Sequence, residues 1–145
     1  MALDRPVPIV LLAPPSLSGT MKVLIVEDNE DLRDLLARIL VCLDYLPMLA
    51  SHGKDGLEKA IAEKPDLILM DMQMPVMDGW QAARALRANP ETKDIPILAT
   101  TVLFASSEVK TFLEAGCNGY IVKPFTLTEL RRKIAELLVS PLGVV

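Results

Sequence analysis

The chain has 145 residues, of which 51% are hydrophobic and 23% charged, with a net charge of −4. That length fits one domain with a full core, and the acidic balance argues against a sequence-independent grip on nucleic acid, so no direct DNA binding is expected. No apolar run reaches the roughly 18–20 residues that cross a bilayer, so no membrane partner is expected either.

Residues 1–20 carry Pro6, Pro8, Pro14 and Pro15, which disfavour helix and central strand, so a disordered extension is expected there. Its apolar patch, Val7 to Ala13, is short and broken by Pro8, which makes it a poor signal peptide. Met21 directly precedes the first clear strand and is a candidate start. Lys22–Val26 is a short apolar run of the kind buried on both faces of a sheet. Residues 30–43 then place Leu32, Leu35, Leu36, Ile39, Leu40 and Leu43 at helical spacing. Tyr45–Ala50 is strand-like, and Pro47 predicts that this strand lies at a sheet edge. His52, the lone histidine, is expected in a surface loop, followed by a helix over Gly56–Glu63.

Asp66–Met70 is a second apolar strand, Asp78–Ala88 a helix, Ile95–Thr100 a strand and Ser106–Ala115 a helix closed by Gly116. Gly119–Val122 is a short last strand, and Thr126 with Glu129 forms a capping box that opens a helix to about Val139. The expected organisation is thus an extension over 1–20, a domain over 21–139 and a short tail over 140–145. Five apolar strands alternating with five helices predict an α/β fold, a parallel sheet covered on both faces. Cys42 and Cys117 stand in no CxxC or Cys/His ligand spacing, so zinc is not expected. They read as buried or half-buried free thiols of a reducing compartment, which points to the cytoplasm.

The chemistry-bearing residues fall where the apolar strands stop. Glu27 and Asp28 follow Val26, Asp71 follows Met70, Thr100 and Thr101 end the fourth strand, and Lys123 follows the fifth. A parallel sheet gathers these at one edge, where ligands of such folds bind. Close carboxylates repel, and a divalent cation such as magnesium offsets the repulsion while keeping positions open for a phosphate oxygen. A lysine and a threonine hydroxyl can hold further phosphoryl oxygens, and a carboxylate can be the nucleophile, so the set has the parts for phosphoryl transfer. A single Asp at a strand end is ordinarily a cap or turn residue; the specificity lies in the set, in order, after successive strands.

The segments VLIVEDN (23–29), PDLILMDMQMPVMDG (65–79), PILATT (96–101) and EAGCNGYIVKPF (114–125) resemble the receiver domains of two-component response regulators, including the single-domain chemotaxis type. The resemblance implies a flavodoxin-like doubly wound sheet with strand order 2-1-3-4-5 and a stand-alone phosphorylation switch that is not a turnover enzyme. Asp71 is then the phosphoacceptor; Asp28, Asp71 and the Gln73 backbone carbonyl are ligands of Mg2+, and Glu27 acts through a metal-bound water. Thr101 is the switch hydroxyl, Lys123 pairs with the phosphate ahead of a cis bond to Pro124, and Tyr120 is the aromatic whose rotamer follows activation. The implied partners are a sensor histidine kinase or histidine phosphotransfer protein and a downstream protein target, with the chain a monomer or a phosphorylation-dependent dimer.

Two features depart from the family pattern. Val102 stands where a small alanine is frequent and could hinder inward motion of Thr101 or Tyr120, and Leu103-Phe104-Ala105 is unusually apolar for a loop. That loop fits either local packing or a partner-binding patch. A haloacid-dehalogenase-like phosphatase also uses a strand-end Asp, but it wants a second Asp two residues on, where Gln73 stands. A phosphate-independent interaction module and a piece detached from a longer regulator are the other readings.

Overall fold

A computed structural model describes residues 20–74, 77–102 and 107–143. The expected extension and the Leu103-Phe104-Ala105 stretch lie outside these residues, Thr20 apart. The elements alternate in chain order: β1 (Lys22–Val26), α1 (Glu30–Cys42), β2 (Leu46–Ala50), α2 (Gly53–Glu63), β3 (Leu67–Asp71), α3 (Gly79–Ala88), β4 (Ile97–Thr101), α4 (Ser107–Ala115), β5 (Gly119–Val122) and α5 (Leu127–Gly143). All the strand pairs are parallel, in one five-stranded sheet of order β2-β1-β3-β4-β5.

Alternation along each strand divides the core in two. On one face Leu24, Val26, Ile68, Met70, Ile97 and Ala99 pack with Ala60 of α2, Ala82, Ala83 and Leu86 of α3, and Phe112 of α4. On the other Val23, Ile25, Leu67, Leu69, Leu98 and Ile121 pack with Leu36 and Leu40 of α1 and Leu130 and Ile134 of α5. β2 pairs only with β1, which places Pro47 on an edge as expected, since a central strand would need its missing N–H.

Several boundaries move for identifiable reasons. The cap of α1 is Asn29, whose side chain accepts the Leu32 N–H, so neither Glu27 nor Asp28 is used in capping. His52 is exposed as expected but is not a plain loop residue: its Nδ1 accepts the Asp55 N–H at 3.1 Å, and α2 begins at Gly53 rather than Gly56. Asp78 and Gln81 form a reciprocal capping box for α3. The helix α5 continues to Gly143, four residues beyond the expected Val139. Cys117 is buried and free as expected, but Cys42 is exposed, a correction; it ends α1 on a helix whose core-facing residues are Leu36 and Leu40.

The pole at the amino ends of β4 and β5 is tied by one side chain. Arg87, at the end of α3, donates to the carbonyls of Gly116 (3.0 Å), Lys93 (3.0 Å) and Ile95 (2.7 Å) and to Asn118 Oδ1 (2.7 Å). Asn118 Oδ1 in turn accepts the Ile97 N–H at 2.8 Å. Gly116 holds a left-handed φ of 111°, and a Cβ there would lie 2.6 Å from the Arg87 side chain, so both backbone and space require glycine. Arg87→Met leaves these acceptors without their charged donor and is expected to cost roughly 2–4 kcal/mol. Thermal unfolding should then show Tm lowered by roughly 6–15 °C; a shift within about 2 °C would mean that water replaces the guanidinium there.

Candidate functional site

The carboxyl ends of β1, β3, β4 and β5 carry the expected residues, held by backbone hydrogen bonds to neighbouring strands. Glu27 N–H donates to Ala50 O (3.1 Å), Met72 N–H to Thr100 O (3.0 Å) and Lys123 N–H to Thr101 O (2.8 Å). The Arg33 guanidinium donates to Glu27 O at 2.9 Å, anchoring the β1 exit from the first turns of α1. The β3–α3 connection folds close over the sheet: a Cβ on Gly79 would lie 2.6 Å from Met72 Cα and 2.7 Å from the Asp71 carbonyl oxygen. Only glycine permits that approach.

Glu27, Asp28 and Asp71 come together, each with a carboxylate oxygen within 4.8 Å of the others. Glu27 and Asp71 are 2% and 3% exposed, whereas Asp28 is open to solvent. The Lys123 ammonium lies 3.4 Å from Glu27 Oε1 and 3.4 Å from Asp71 Oδ1. Asp71 Oδ1 also accepts the Gln73 N–H at 3.0 Å, and Glu27 Oε2 the Asn29 N–H at 3.1 Å. Thr101 is fully buried, and its hydroxyl accepts a hydrogen bond from Gln73 Nε2 at 2.8 Å. The Lys123–Pro124 bond is cis, as expected.

Two buried carboxylates share one nearby ammonium, and their titration reflects it. Burial first, then the Asp71 charge, pushes the Glu27 carboxyl up to about 7, against the Asn29 N–H and Lys123. Burial also raises Asp71, against the Gln73 N–H and Lys123. The donor set is all oxygen, acidic and electrostatically under-compensated, which is the chemistry a hard divalent cation fits.

Tyr120 is half-buried on β5 next to Ala99 of β4, and the Lys133 ammonium of α5 stands 5.4 Å from its ring centroid. Val102, just past the end of β4, is exposed, whereas Thr101 is buried. Three contacts escaped the sequence: Gln73 to Thr101, Arg33 to the Glu27 carbonyl and Lys133 over Tyr120. Each depends on side-chain reach between elements; only Arg33, four residues after the Asn29 cap, had a local signal.

A flavodoxin-like sheet with an acidic cleft where its strand order reverses defines the class. The family model described as the response regulator receiver domain matches residues 23–135, and the chain belongs to that family. Response regulator MprA of Mycobacterium leprae is 37% identical over 118 residues, 81% of this chain and 51% of its own length. Hybrid signal transduction histidine kinase G of Dictyostelium discoideum is 42% identical over 114 residues, 77% of this chain but 3% of its own length. The chain therefore spans about half of MprA and a small part of the kinase. Chemotaxis protein CheY4 of Vibrio cholerae superposes with a TM-score of 0.78 at 29% identity, covering 82% of this chain and 99% of that one. The receiver domain of the sensor histidine kinase PA1611 of Pseudomonas aeruginosa PAO1, solved with a magnesium ion in its active-site cleft, gives 0.77 at 32% identity, covering 83% and 98%.

The raised Glu27 carboxyl has a signed consequence. The folded chain holds a proton on Glu27 that the unfolded chain releases near 4.5, so this group's contribution to stability is present below 4.5 and is lost as pH rises through about 7. Without divalent cation, Glu27→Gln should remove that loss, so its Tm advantage over the parent grows from pH 5 to pH 8 (about 3 pH units). Magnesium should stabilise the parent more than the variant at the upper end. Parallel Tm curves would show that Glu27 is not the strained group.

Proposed function

We propose that this chain carries a receiver, over residues 21–139, that accepts a phosphoryl group on Asp71 in a magnesium-dependent reaction and signals through a conformational switch. The observation that supports this best is the buried Glu27–Asp71 pair with Lys123 at 3.4 Å from each, at the ends of successive parallel strands. Asp28, Asp71 and the Gln73 carbonyl would hold Mg2+, with Glu27 acting through a bound water. When bound, magnesium supplies charge neutralisation and a place for a phosphoryl oxygen.

Asp71 provides the nucleophile: a carboxylate oxygen forms a bond to phosphorus while the phosphorus–nitrogen bond of a phosphohistidine donor breaks, its electron pair staying on the imidazole. Lys123 releases its contact with Asp71 Oδ1 to pair with a phosphoryl oxygen, and the Thr101 hydroxyl donates to another. The added charge of roughly −1.5 to −2 draws the end of β4 inward, and Tyr120 follows into the space. A protein target that prefers this arrangement shifts the equilibrium further. Receiver domains are signalling switches that work with histidine kinases or phosphotransfer proteins. For this chain such a donor, a downstream protein target, a monomer or phosphorylation-dependent dimer, and a cytoplasmic setting complete the reading. Among the described residues no helix is long and apolar enough to cross a membrane. The reading of no direct DNA binding applies to this acidic chain, which spans about half the length of MprA. Phosphatase turnover is disfavoured because the Gln73 amide cannot act as a general acid or base.

Intact-mass spectrometry after incubation with acetyl phosphate tests the reading. A phosphoryl-sized gain should need magnesium and vanish in Asp71→Asn. Lys123→Met should slow the gain about 10²–10³-fold, the effect of removing one charge-stabilising group. A gain that survives Asp71→Asn would move the acceptor elsewhere.

A further inference from the structure

Gln73 is exposed, yet its side chain reaches into the site and donates to fully buried Thr101. Its backbone N–H meanwhile donates to Asp71 Oδ1 at 3.0 Å. One residue thus braces both the acceptor carboxylate of β3 and the hydroxyl at the end of β4. Gly79 packs closely against this stretch, a Cβ there lying 2.6 Å from Met72 Cα, the residue before Gln73.

The direction of the bond decides what it does. A hydroxyl has one proton and two lone pairs. With the Gln73 amide donating into a lone pair, the Thr101 proton remains free to be given to another acceptor. A donor at the oxygen also polarises the O–H bond and strengthens it as a donor in turn. The Gln73 side chain therefore does not compete with a phosphoryl group for the Thr101 proton; it fixes the rotor with that proton available.

We propose that Gln73 is a positioning residue whose side-chain amide pre-orients the Thr101 hydroxyl to donate to the phosphoryl group arriving on Asp71. This goes beyond the expected use of its backbone carbonyl and rests on the proposed phosphoacceptor reading. The amide acts through Thr101, so its effect exists only where residue 101 carries a hydroxyl.

A double-mutant cycle tests this, with the rate of phosphoryl gain from acetyl phosphate and magnesium read by intact mass. Gln73→Met keeps the length of the side chain, removes its donor and leaves the backbone carbonyl in place. It should slow the gain about three- to tenfold, the worth of one neutral hydrogen bond. In a Thr101→Val background, Gln73→Met should add nothing beyond about twofold, and in Thr101→Ser the Gln73 dependence should return. Side-chain amide resonances of Gln73 in an ¹⁵N spectrum should shift in Thr101→Val and stay near their parent positions in Thr101→Ser, in protein whose Tm shows it folded. An equal effect of Gln73→Met with and without the hydroxyl, or no effect in the parent, overturns the proposal while leaving the phosphoacceptor reading intact. No phosphoryl gain in the folded parent overturns both.

Discussion

Two carboxylates that the fold buries side by side, with one half-buried lysine between them, set the terms for everything else at this end of the molecule. Glu27 and Asp71 sit in surroundings that penalise charge, and the Asp71 charge further raises the cost of ionising Glu27. Lys123 compensates one negative charge, not two. Such a pair is costly as plain architecture, because an apolar pair of similar volume would serve stability as well or better. Its retention makes sense where a cation or an incoming group uses the imbalance.

The sheet makes this arrangement unavoidable. Parallel pairing puts every strand's carboxyl end on one edge, and the reversal of strand order between β1 and β3 opens a cleft there. Apolar residues on both faces of β1 and β3 fix the register through Val26 and Met70, so the residues that follow have little freedom in where they emerge. The opposite pole is organised differently: Arg87 and Asn118 close it with hydrogen bonds that have no part in the acidic cluster. Binding chemistry is thereby concentrated at one end, and loop-tying hydrogen bonds close the other.

Much of this was legible in the sequence because it depends on period and order. The apolar strands, the edge position announced by Pro47 and the strand-end acids follow from backbone geometry, and the structure places them so. What was not legible depends on side chains meeting across elements. The exposure of Cys42 turns on which side of α1 faces the sheet at its last residue, and α2 begins early because the lone histidine serves as a cap. The Gln73–Thr101 bond spans 28 residues of sequence and leaves no periodic trace. Val102 illustrates the same limit: its bulk is visible in the sequence, but its exposure just past the end of a strand buried throughout is not.

The assigned roles turn on where a cation and a phosphoryl group would sit relative to these side chains. A crystal structure grown with magnesium and beryllofluoride, a tetrahedral analogue of the phosphoryl group, measures that directly. The predicted result is beryllium bonded to an Asp71 carboxylate oxygen, with Lys123 and Thr101 on its fluorides and the cation held by Asp28, Asp71 and the Gln73 carbonyl. Beryllofluoride absent from Asp71 at saturating magnesium, or a cation held without Asp28 and Asp71, would contradict the account.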